Sequence, residues 1–224
     1  MKTIKIFYII PLLLMLFALS GCFEIIEEIT IYPDGKGKAG LTVNLSQGKA
    51  KLSSIMLMDS IKGNAVPTKE EILAELETAK EIANSTQGLH DVSLTANFDD
   101  FIFELTCNFD SVECLNHFVY NLENYYTERE IPIKQLYSFK KNTYLRNADF
   151  LVPNKHKKMI AEEKGNLLSA KYISIVRLPF EVIEMSNEKA KLAKNKKAVM
   201  LRIGGDKLLE NTNTVTNKIK IKSS

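Results

Sequence analysis

Three cysteines, three histidines and a few close-set carboxylates are the side chains of this 224-residue chain that could carry covalent, acid–base or metal chemistry. Their spacing closes most of those routes. His90, His117 and His156 stand far apart, and none belongs to a His-Glu-x-x-His set or to a nucleophile–His–acid order. The close-set acids are Glu27-Glu28, Asp99-Asp100, and Asp110 with Glu113. Paired-carboxylate hydrolysis needs two carboxyls facing one cleft, and adjacency in sequence does not supply that. At strand ends, in a turn and at a helix start, these acids read as solvated or capping groups. Gly204-Gly205-Asp206 reads as a turn rather than a phosphate loop, because no helix-opening glycine pattern surrounds it. With no catalytic motif, no metal set and no cofactor signature, the chain is expected to be non-enzymatic.

Cys22 has a different setting. Lys2 and Lys5 open the chain, Ile6 to Leu19 is apolar, and Ser20 and Gly21 put small residues before the thiol. That is the form of a secretory signal peptide. A transmembrane helix needs about 20 apolar residues, whereas this run supplies 14 with Pro11 inside it. The ending Leu19-Ser20-Gly21-Cys22 resembles the lipobox of bacterial lipoproteins. The resemblance implies that residues 1–21 are removed and that the mature domain, 22–224, starts at a cysteine carrying diacylglycerol. Each buried methylene adds about 0.8 kcal/mol of membrane affinity, and two or more acyl chains anchor stably. Phe23, rather than Asp, follows the cysteine, which favours the outer membrane in a Gram-negative host. The expected location is therefore the bacterial cell envelope, with the membrane as a partner through Cys22.

An exported chain lives in disulfide-permissive surroundings, which gives Cys107 and Cys114 two readings. A bridge would pin a strand–helix corner and add about 2–3 kcal/mol. Otherwise both are small buried apolar residues. With no histidine beside them they form no recognisable zinc set.

Without residues 1–21 the chain keeps 28 basic and 27 acidic side chains, which argues against a nucleic-acid binder. The charge is uneven, however. Glu188 to Ser224 holds ten Lys/Arg against three Asp/Glu, and Lys155-His156-Lys157-Lys158 forms a second cluster. Solvated surface is the ordinary meaning of such runs, and contact with anionic headgroups or envelope glycans is the sharper one. No Trp is present, so only Tyr and Phe could stack on a sugar.

The elements that must position these residues can be read from periodicity. Residues 23–45 form a hairpin around Pro33-Asp34-Gly35-Lys36-Gly37, so the first strand begins almost immediately after Cys22. Residues 47–62 have helical spacing, with the apolar run Ile55-Met56-Leu57-Met58 suited either to core packing or to an adaptable apolar groove. Thr68 with Glu71 makes a capping box for a helix carrying Ile72, Leu76, Ala79 and Ala83. A second hairpin turns at Asp99-Asp100, with Phe103, Leu105, Cys107 and Phe109 on one face. Asp110 and Glu113 cap a helix with Leu115, Phe118, Val119 and Leu122. A third hairpin turns around Lys140-Lys141-Asn142, and a short helix is expected at 155–168. Strands follow at Tyr172 to Leu178, Phe180 to Met185, Ala198 to Ile203 and Thr214 to Ile221. The sum is one α+β domain, an antiparallel sheet built from hairpins with helices packed on one face.

Several short motifs share a wider likeness. The cysteine is followed at once by a strand, a Pro-Asp-Gly turn and a second strand. Gly88-Leu-His-Asp-Val92, Phe101-Ile-Phe-Glu-Leu and Val176-Arg-Leu-Pro179 come later. Together these resemble the LppM-type domain of small bacterial envelope lipoproteins. Phe180 stands where that pattern usually has Gly, and Met200 or Leu201 where it often has Trp. The resemblance implies an α+β fold, membrane attachment, and a lipid or glycolipid ligand. The alternative is an accessory envelope subunit that docks a protein partner through a sheet edge or its basic C-terminal strands. An apolar pocket of roughly 300 Å³ or more between sheet and helices would favour the first. A closed core with an exposed apolar patch would favour the second.

Overall fold

The computed structural model describes residues 23–61, 63–127, 132–148, 169–210 and 212–223. Leu19, Ser20, Gly21, Cys22, the Lys155–Lys158 cluster and the helix expected at 155–168 lie outside them.

Two hairpins open the domain, β1 (Glu24–Ile31) with β2 (Gly37–Asn44) and β5 (Leu89–Asn97) with β6 (Ile102–Phe109). Gly35 turns the first one in the left-handed region that glycine adopts freely, at φ +85°. β9 (Lys171–Arg177), β11 (Lys191–Leu192) and β12 (Ala198–Gly204) complete a seven-stranded sheet of order β11-β12-β9-β1-β2-β6-β5. The third hairpin, β7 (Tyr137–Lys140) with β8 (Thr143–Arg146), turns on Lys141 and Asn142, both at positive φ. It joins β10 (Val182–Met185) and β13 (Asn217–Ile221) in a second sheet, of order β10-β13-β8-β7. A two-stranded ribbon pairs β3 (Ser60–Ile61) with β4 (Asn64–Ala65).

The α+β class holds, with two refinements. β1 runs parallel to β9, so the large sheet is mixed, and the third hairpin builds a separate sheet. Hairpin patterns report only neighbours in sequence, whereas β1 and β9 meet across most of the chain.

Four helices are described: α1 (Lys49–Ile55), α2 (Lys69–Ser85), α3 (Cys114–Thr127) and α4 (Gly205–Glu210). The predicted capping box is formed at α2. Thr68 Oγ1 accepts from the Glu71 N–H at 3.1 Å, and Glu71 Oε2 accepts from the Thr68 N–H at 2.8 Å. Other boundaries move. The helix expected over 47–62 ends at Ile55, Gly205 opens α4 instead of a turn, and the last strand starts at Asn217 behind a short 3-10 turn. Asp110 does not cap α3. Its carboxylate accepts from His90 Nε2 at 2.9 Å and lies 3.5 Å from Lys36 Nζ, while Glu113 accepts from the Phe139 N–H.

The alternation of β1 sets the layers. Ile25, Glu27, Ile29 and Ile31 share one face, and their cross-strand neighbours Val43, Leu41, Ala39 and Gly37 lie on it too. α1 to α4 and the second sheet all supply core residues against this face, and the main core runs from Ile29 and Phe109 to Leu115, Tyr144 and Ile219. The opposite face presents Glu24, Glu28, Lys38, Glu104, Arg177 and Arg202. Cross-strand pairs there join Arg177 to Glu28 and Arg202 to Glu24, each at 2.8 Å.

Candidate functional site

At the end of the sheet where β1 begins, α1, the start of α2 and the β5–β6 turn enclose an open groove of about 600 Å³. The register places its parts. Glu24 pairs with Asn44 and Asn44 with Ile102, so Phe23, Leu45 and the Phe98–Phe101 turn lie together at one end. Met56, Leu57, Phe98 and Phe101 give the groove an apolar lining, and Lys49, Lys69, Glu70 and Asp99 add charge. Lys49 Nζ sits 2.8 Å from Asp100 Oδ1, a bond that raises the lysine pKa and lowers that of the aspartate. Lys69 Nζ lies 5.8 Å from the centre of the Phe98 ring, which meets Phe103 edge-on. Phe101 is buried yet held at φ +53°, a conformation that costs a bulky residue about 1–2 kcal/mol. Its carbonyl accepts from the Leu45 N–H at 2.9 Å, which ties the turn to the chain leaving β2.

The apolar run beside this groove divides. Ile55 is buried in the core with Leu52, while Leu57 is 89% exposed and Met58 51% exposed. α1 stops at Ile55, and the turn that follows carries the next side chains outward. Core packing therefore accounts for only half of Ile55-Met56-Leu57-Met58.

Between the sheet and α2/α3 the space is much smaller, a cleft of about 100 Å³ lined by Ile29, Leu41, Leu105, Cys107, Phe118 and Val119, among others. That is below the size of ligand pockets. Glu27 and Tyr137 border it and belong to a buried polar cluster between the two sheets. The Glu27 carboxylate accepts from Tyr137 Oη at 2.7 Å, from Arg146 Nε at 3.0 Å and Nη2 at 2.9 Å, and from Ser174 Oγ at 3.3 Å. Arg146 also lies over the Tyr137 ring and donates to Tyr172 Oη and the Asn147 carbonyl. Burial, reinforced by the Glu27 charge, pushes the phenols of Tyr137, Tyr144 and Tyr172 above their ordinary range. The Tyr144 hydroxyl has no hydrogen-bond partner among the described residues. Every strong bond of Glu27 is used within the cluster, so its chemistry is cohesion between sheets rather than acid–base work.

The sequence-predicted sites scatter. Glu27 is buried where a solvated acid was expected, while its neighbour Glu28 pairs with exposed Arg177. Asp100 holds Lys49, and His117 is exposed on α3. Cys107 and Cys114 are free thiols, so the bridge envisaged between them is not formed. Cys107 projects from β6 into the cleft, where burial pushes its thiol up to about 11. Cys114 Sγ lies instead 3.7 Å from Ser111 Oγ, against Gly88. Among the described residues no three His, Cys, Asp or Glu side chains converge as metal ligands do. The Glu27–Arg146 cluster was missed, although its signal was present. Glu27 has the same parity as Ile25, Ile29 and Ile31, and Arg146 the same parity as Tyr144.

No known protein family and no characterised protein matches the chain by sequence. Among solved structures, the chain is similar to the folded domain of LppM from Mycobacterium tuberculosis, determined by NMR, at 11% identity and a TM-score of 0.40. That alignment covers 91% of this chain and 92% of the other.

Proposed function

We propose that this chain is a non-enzymatic lipoprotein of the bacterial envelope, anchored through Cys22, whose domain holds a lipid or glycolipid in the groove at the β1 end. The groove itself carries the reading. Its volume of about 600 Å³ falls within the range of ligand pockets, and apolar side chains sit there beside two ammonium groups, Lys69 and the Asp100-paired Lys49, and the carboxylates of Glu70 and Asp99. An amphiphile needs both, an apolar wall for a chain and cations for an anionic head. The accessory-subunit reading keeps three supporting features: the cleft between sheet and helices is only about 100 Å³, Leu57 and Met58 are exposed, and β5 is a nine-residue strand at the sheet edge that could pair with another chain.

Native mass spectrometry of the full protein, purified from its own membranes in mild detergent, tests the choice. A bound species of discrete lipid mass, lost in Phe98→Asp, is the expected result. A protein that arrives lipid-free with a stoichiometric polypeptide partner overturns the ligand reading in favour of docking. The anchor is tested separately by metabolic labelling with a palmitate analogue, which Cys22→Ala should abolish together with membrane retention.

A further inference from the structure

Resting on the Cys22 anchor proposed above, we infer that the domain stands end-on to the bilayer, with the Leu57–Met58 turn immersed in the membrane. Phe23 is buried in the same cluster as Leu52, Ile55 and Phe101, and β1 starts at the next residue. Cys22 directly precedes Phe23 in the chain, and one trans peptide spans only about 3.8 Å. The end of the sheet that holds Phe23 is drawn against the headgroups, and that end presents Leu57 and Met58.

Single exposed apolar residues are ordinary on protein surfaces. These two are adjacent, and their backbone is held in place, with the Met58 N–H donating to the Ile55 carbonyl at 2.9 Å and the Leu57 N–H to that of Ser54 at 3.3 Å. The turn is thus a fixed display of two large apolar side chains at the rim of the groove. A lipid headgroup leaving the bilayer at that point would meet the groove without crossing water.

The same register turns the loop of Lys194 to Lys197 away. Ala198 pairs with Arg177, and Arg177 with Thr30, so Lys194 to Lys197 lie at the far end of strands about 25 Å long. The charge of that loop then faces outward into the envelope, while Arg202, paired with Glu24, and Lys207, just past Gly204, stay at the anchored end.

The chain has no tryptophan, so Leu57→Trp and Lys194→Trp each create a single reporter at an exposed site. Both full-length variants are reconstituted into vesicles of phosphatidylcholine and phosphatidylglycerol, with and without brominated acyl chains, and circular dichroism checks the fold. Leu57→Trp is expected to shift to the blue on reconstitution and to be quenched by the brominated lipid, with Lys194→Trp unaffected. Intact mass shows whether Cys22 carries lipid. A lipidated protein in which Leu57→Trp stays unquenched, or Lys194→Trp is quenched as strongly, overturns the orientation and leaves the anchor standing. An unlipidated protein with no quenching overturns both.

Discussion

Glu27 and Arg146 meet across 119 residues of chain and join the two sheets. Their side chains are 9% and 4% exposed, so each charge depends on the other for its solvation. A buried pair of this kind is not worth much against a well-packed apolar replacement, but breaking it leaves one charge stranded. Arg146→Met is therefore expected to lower stability by about 3–5 kcal/mol in urea unfolding. The double variant Glu27→Leu/Arg146→Met should recover most of that loss. A single variant as stable as the parent would mean that water reaches Glu27. Parity made this pair legible in principle, because a strand of period two has no way to turn one acid outward alone. What parity could not supply was the partner, since nothing near Glu27 in sequence points to Arg146.

Elements were legible where their cues are local. The α2 capping box needs only Thr68 and Glu71, three residues apart, and both of its bonds form. Thr68→Ala should lower stability by about 1 kcal/mol, seen as a lower urea midpoint with unchanged slope. A larger effect would show that Thr68, which also lines the groove, does more there than cap the helix. Asp110 and Glu113 have the same spacing and no box forms. His90 and Lys36, on other elements, hold the Asp110 carboxylate and keep it below its usual range, with His90 the larger cause. The same contest between local and tertiary partners ends α1 early. Leu52 and Ile55 satisfy the core against Phe23 and Phe101, so Leu57 and Met58 have no apolar surface left to cover.

For the whole molecule, the sheet–sheet interface is where stability and pH meet. Tyr137, Tyr144 and Tyr172 line it, and all three are held protonated in the fold by burial, with the Glu27 charge adding to the effect. An unfolded tyrosine releases its proton near pH 10.0. Their folded values are raised, so the stability they lend is complete below about pH 10 and drains away as pH climbs beyond it. Above that point a steep rise in phenolate absorbance should coincide with loss of circular dichroism, the two sheets parting in one transition. Early, gradual ionisation of these tyrosines with the fold intact would show that the interface is open to water.

By itself the sequence determined the lipobox-like run to Cys22, the three hairpins, the α2 cap and the α+β class, because each rests on residues close together along the chain. Only the tertiary structure decided the parallel pairing of β1 with β9, the Glu27–Arg146 junction, and which apolar residues stay outside. Burial is a property of what comes from elsewhere to cover a surface. At Leu57 the described chain covers little of that surface, and at Met58 only about half.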